Sequence, residues 1–75
     1  MKSEELDSQI IRALQSLGKG GPGWISDDLI SCFPNFSFYT KHSITQRLHA
    51  LADKGAIDRS LGLVDGRERY VFEIL

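Results

Sequence analysis

Apolar residues recur at helical spacing along the first part of the chain. Leu6, Ile10, Ala13, Leu14 and Leu17 share one stripe, which predicts an amphipathic helix over residues 4–17. Ser3 stands where an N-cap belongs, and Glu4, Glu5 and Asp7 set negative charge against the positive end of the helix dipole. Gly18 ends the helix, and GKGGPG at 18–23 reads as a loop. Trp24 and Ile25 make a very short extended piece. Ser26 reads as the next N-cap, with Asp27 and Asp28 in the first turn. Leu29, Ile30, Cys32 and Phe33 then give the apolar residues of a short second helix, which Pro34 stops. The segment PNFSFY at 34–39 connects to a third helix that starts near Thr40, or near Ser37 if that residue is the cap, and ends at Gly55. Ile44, Leu48 and Leu51 form its apolar side. His42, Thr45, Gln46, His49 and Asp53 form the opposite one.

After Gly55 the period changes from that of a helix to that of a strand. Ile57, Arg59 and Leu61 alternate with Asp58 and Ser60, and Gly62 to Gly66 supply turn chemistry. Tyr70, Phe72 and Ile74 then alternate with Arg69, Val71 and Glu73. This predicts an antiparallel hairpin with one buried face, Tyr70 and Phe72 toward the helices and Trp24 beneath. The expected fold class is α+β, one domain over 1–75, in the order helix, short strand, helix, helix, strand, strand.

Composition adds bounds. Among the 75 residues, 41% are hydrophobic and 25% charged, which predicts a folded chain with a small core. No apolar run approaches the ~20 residues of a membrane span, and no signal-peptide pattern is present, so no membrane association is expected. One cysteine forms no internal disulfide, and the expected compartment is the cytoplasm. The net charge of −1 counts against a strong, sequence-blind nucleic-acid binder. Its distribution is uneven. Residues 1–39 hold three bases and five acids, or −2, whereas residues 40–75 hold six bases and five acids, or +1. No carboxylate occurs from Leu29 to Ala52, while Lys41 and Arg47 lie in that span. A phosphate approaching the third helix meets no repulsion from its own side chains there.

The order of elements, together with the IIRAL helix, the Trp24-Ile25 strand, the ISDDLI helix, the run ITQRLHALADKGAIDRS and the last strand RERYVFEIL, resembles the winged helix-turn-helix DNA-binding superfamily. The match covers nearly the whole chain and looks most like small bacterial or phage regulators. The resemblance implies a transcriptional regulator that binds double-stranded DNA, with the third helix (about 40–54) in the major groove and the wing (61–69) on the backbone. One departure is the connection CFPNFSFY between the second and third helices. It is longer than the turn usual in bacterial members and carries three phenylalanines and a tyrosine.

On that footing the candidate contacts are Lys41, His42, Ser43, Thr45, Gln46, Arg47 and His49 on the third helix, and Arg67 and Arg69 on the wing. Gln46 suits a bidentate contact with adenine, and Lys41 suits guanine or phosphate. Ser43 and Arg47 suit phosphate oxygens, and Arg67 a backbone contact from the wing. Arg59 lies on the partner strand, while Asp65 and Glu68 partly cancel the field of the wing arginines. So small and weakly basic a module is expected to act as a homodimer or with a protein partner, through Phe36, Phe38 and Tyr39 or through the first helix.

No enzyme is expected, and no cofactor or metal. His42 and His49 lie two helical turns apart, no HExxH or Cys-His cluster occurs, and Cys32 reads as a buried structural thiol. GKGGPG lacks the ending of a phosphate loop and follows a helix, so a plain linker is expected there. The alternative reading is a winged-helix protein-interaction module that binds no DNA, which the acidic first helix and the carboxylates of the wing favour.

Overall fold

The structure, a computed structural model, describes residues 3–75; the side chain of Ser3, and with it the cap expected there, lies outside the described residues. The chain is α+β. Three α-helices, α1 (Ser3–Leu17), α2 (Ser26–Cys32) and α3 (Lys41–Asp53), precede an antiparallel hairpin of β1 (Asp58–Val64) and β2 (Arg67–Glu73). A 3-10 turn, Pro34–Phe38, joins α2 to α3.

The core is built from one side of each element. Leu6, Ile10, Ala13 and Leu14 of α1 meet Leu29, Phe36, the three apolar residues Ile44, Leu48 and Leu51 of α3, and then Ile57 and Phe72. Each is essentially withdrawn from water, so the hydrophobic effect holds the three helices and the base of the hairpin as one cluster. The apolar stripe of α1 is thus packed inside the fold. The same holds for Phe36, which is fully buried. It packs edge-on against Phe33 at 6.1 Å between ring centroids, and so anchors the long connection. Asn35 donates to Gln9 Oε1 at 2.6 Å, and Gln9 in turn donates to the Tyr39 hydroxyl at 3.4 Å, so the turn is also pinned to α1.

Local chemistry sets the helix ends. Thr40 caps α3, its hydroxyl accepting from the Ser43 N–H at 3.1 Å. At the other end Gly55 takes φ +79°, the Ala56 N–H reaches Leu51 O at 2.9 Å and the Gly55 N–H reaches Ala52 O at 3.0 Å. That paired closure is a Schellman motif, and it turns the chain sharply from α3 into β1. The N-cap of α2 is Ile25, one residue earlier than expected. Ser26 is the first helical residue and is buried, and the Asp28 carboxylate reaches back to accept from the Ile25 N–H at 2.8 Å. Pro34 ends α2 as expected, but Cys32 is exposed rather than buried. On a two-turn helix the core has room for Leu29 and no need of the residue three positions on.

The hairpin departs from expectation in its turn. Gly62 lies inside β1, and the reversal is made by Asp65-Gly66 alone. Both residues adopt positive φ, +53° and +77°, the conformation of a two-residue hairpin turn that matches the twist of its strands. The hairpin also has buried residues on both faces. Phe72 enters the core, while Val71, on the opposite face, is covered by the loop after α1. Trp24 joins β2 through a single antiparallel bridge to Phe72, with two N–H···O bonds of 2.8 Å. Gly23 then passes so close to Val71 that a Cβ would lie 2.6 Å from its Cγ2. The end of GKGGPG at Gly23 is therefore packed against the hairpin, while residues 19–22 are exposed. Only a residue without a side chain fits at Gly23, where φ is also +87°. Tyr70, expected in the core, is 51% exposed.

Candidate functional site

The base of the hairpin leans on α3, and an open cleft of about 410 Å³ lies between them. Lys41, Thr45 and His49 come to it from successive turns of α3, and Arg69 and Tyr70 from β2. Ile25, Ser26 and the buried Leu48 and Phe72 complete its lining. Four of the nine residues singled out in the sequence are thus gathered around one concavity.

Their surroundings differ. Lys41 Nζ lies 2.8 Å from Asp27 Oδ1, with both side chains about half exposed. Such a surface pair is worth about 0–1 kcal/mol, so a stronger anion can displace the aspartate. Thr45 does not point outward: its hydroxyl donates to Ser26 Oγ at 2.9 Å and ties α3 to α2. His49 is held by aromatic edges, Tyr70 at 5.4 Å and Phe72 at 5.0 Å between centroids. Its Nδ1 lies 3.1 Å from Arg59 Nη1, a group that can only donate. Arg59 also pairs with Asp53 at 2.9 Å and lies over the Tyr70 ring at 5.4 Å. This strut of Asp53, Arg59, His49 and Tyr70 fixes the angle between hairpin and helix.

The remaining candidates fall outside the cleft. His42 and Gln46 are exposed on α3, and Ser43 is spent in the Thr40 cap. Arg47 turns to the opposite flank and grips Asp7 of α1 through two bonds of 2.8 Å, from Nε to Oδ1 and from Nη2 to Oδ2. That fork raises the pKa of the guanidinium above its ordinary value, chiefly through the hydrogen bonds to Asp7, against a smaller cost of desolvation. It marks Arg47 as a strut between α1 and α3. Arg67 sits beside the hairpin turn, exposed, and among the described residues neither it nor Arg69 belongs to an ion pair.

Two wall residues, Ser26 and Tyr70, escaped the sequence reading because each looked structural. Tyr70 keeps the strand alternation of Phe72, but it packs edge-on against His49 at the open cleft and is left 51% exposed. No group of three or more His, Cys, Asp or Glu side chains forms a metal site among the described residues. No helix among them is long and apolar enough to cross a membrane. No protein-family model matches the chain, and comparisons with curated proteins and with solved structures return no match.

Proposed function

We propose that this chain is a winged helix-turn-helix protein that binds double-stranded DNA and regulates transcription. α3 enters the major groove, with His42 and Gln46 toward base edges, and the hairpin lies as a wing along the backbone with Arg67 and Arg69 toward phosphates. The observation that carries the reading is the convergence of Lys41 and His49 from the helix with Arg69 from the hairpin on one open cleft. Lys41 and His49 of the helix and Arg69 of the hairpin then follow the two sides of one groove wall. Lys41 exchanges Asp27 for a phosphate oxygen, and the strut through Arg59 holds the two arms at a fixed angle.

Fluorescence anisotropy with duplexes of varied sequence, repeated over a salt series, tests this. Gln46→Ala should lower discrimination at one base position by about 1–3 kcal/mol. Arg67→Ala should weaken all sequences alike and reduce the slope of log affinity against log salt by about one. Binding unchanged by both substitutions removes the proposed docking.

A second reading, a protein-interaction module of the same fold, draws on Phe38, which stands 87% exposed at the end of the 3-10 turn. Absence of any duplex binding at low salt, together with loss of a protein partner in Phe38→Ala, would favour it.

A further inference from the structure

β1 is an open edge, and its chemistry selects a partner. Trp24 and Phe72 exchange both of their backbone hydrogen bonds, so Phe72 turns its N–H and C=O away from β1. The pair Arg59 and Phe72 is therefore a non-hydrogen-bonded one, and alternation ties Asp58, Ser60, Gly62 and Val64 to β2 instead. The two-residue turn agrees, since it closes on a hydrogen-bonded pair, Val64 and Arg67. The N–H and C=O groups of Arg59, Leu61 and Leu63 consequently point outward. Among the described residues no strand other than β2 pairs with β1, and no other backbone bond reaches those groups.

Natural sheets blunt such an edge with lysine, proline or a bulge. β1 contains neither lysine nor proline, and Ser60 to Val64 carry no charge. Leu61 and Leu63 are 57% and 78% exposed, and they share a face with Tyr70, which stands directly opposite Leu61.

We propose that β1 pairs with β1 of a second copy, antiparallel about a two-fold axis at Leu61, to make a continuous four-stranded sheet. This register alone engages all three outward residues, with Leu61 against Leu61 and Arg59 against Leu63 of the second copy. On one face it builds an apolar row of Tyr70, Leu61 and their two equivalents. The charges of the other face select a second copy as the occupant. Asp58 and Glu73 lie at one end of the hairpin, Arg67 and Arg69 at the other, and none of the four is in an ion pair among the described residues. An antiparallel two-fold sets the acidic end of each copy beside the basic end of the other. Asp58 faces Val64 of the second copy, whose Arg67 is the next residue in the row. The Cα atoms of Asp58 and that Arg67 lie about 10 Å apart, within reach of the two side chains.

Sedimentation equilibrium of the full chain without DNA, from micromolar to millimolar protein, tests the pairing apart from the DNA reading. The expected result is a monomer–dimer equilibrium whose dissociation constant rises at least roughly tenfold in Leu61→Pro. That substitution removes an outward N–H and leaves the bonds to β2 intact. Should the proline disturb the hairpin, Leu61→Lys sets two like charges together on the axis and must weaken the dimer as much. Asp58→Arg and Arg67→Asp should each weaken it, and the double exchange should restore it. A chain monomeric at every concentration overturns the proposal, as does a dimer undiminished in a folded Leu61 variant, or a double exchange no tighter than its parents.

Discussion

α3 and the outer half of the hairpin use similar residues to opposite ends. Ile44, Leu48 and Leu51 of the helix are fully withdrawn from water, whereas Leu61 and Leu63 of the strand are left in it. The helix is fixed by burial along its length and by a cap at each end. Beyond Tyr70 the hairpin is held by its ladder and by one two-residue turn, and residues 65–69 are exposed. A fold of this size has few apolar side chains to spare, and the two leucines outside the core are those the proposed pairing of β1 would cover. The difference also explains the site. A rigid helix supplies the positioned groups, and a projecting arm supplies the reach.

The comparison can be broken by substitution. Leu48→Ala opens a cavity in the core and should cost about 2–5 kcal/mol, enough to unfold much of so small a chain at room temperature. Urea denaturation followed by circular dichroism reads it. Gly23→Ala comes next. Its Cβ would meet Val71 Cγ2 at 2.6 Å with φ already at +87°, so overpacking and backbone strain should together cost about 1–3 kcal/mol. Its effect should concentrate on the hairpin, seen as faster amide exchange at Val71 and Phe72 than in α1. Leu63→Ala should change stability by no more than about 0.5 kcal/mol, since the side chain is 78% exposed. A cost comparable to that of Leu48→Ala would mean that the outer hairpin belongs to the core after all.

Much of the fold was legible because its signals are local. The stripe from Leu6 to Leu17, the Thr40 cap, the stop at Pro34 and the glycine after α3 each act over a few residues, and each does what the sequence predicts. The misreadings arise where a distant partner decides. Arg47 looks like an outward cation until Asp7, forty residues earlier, claims it. Thr45 looks free until Ser26 Oγ accepts its hydrogen bond. GKGGPG reads as a linker because nothing in it announces that Val71 lies beneath Gly23. Phe36 and Phe38 differ by only two residues along one aromatic segment, yet one is fully buried and the other 87% exposed, because a 3-10 turn points them to opposite sides. The turn position was the exception. Asp65-Gly66 is itself a strong hairpin signal, and the glycine at 62 obscured it.

Of the nine candidate contacts, the structure leaves His42, Gln46 and Arg67 in open solvent and gathers Lys41, Thr45, His49 and Arg69 at the cleft. Ser43 and Arg47 already have intramolecular work. On the proposed reading, so few uncommitted cations release few counterions, and duplex affinity should fall only gently with salt, by about 0.9 in the slope of log affinity against log salt for each phosphate contact.

Amide chemical-shift mapping of the isotope-labelled chain during titration with duplex DNA at low salt tests that reading most directly. The account predicts shifts confined to residues 41–49 of α3 and 64–69 of the hairpin, saturating together, with the α1 face around Arg12 unmoved. A spectrum unchanged at excess duplex, or shifts centred on α1 and the Phe38 turn, would contradict it.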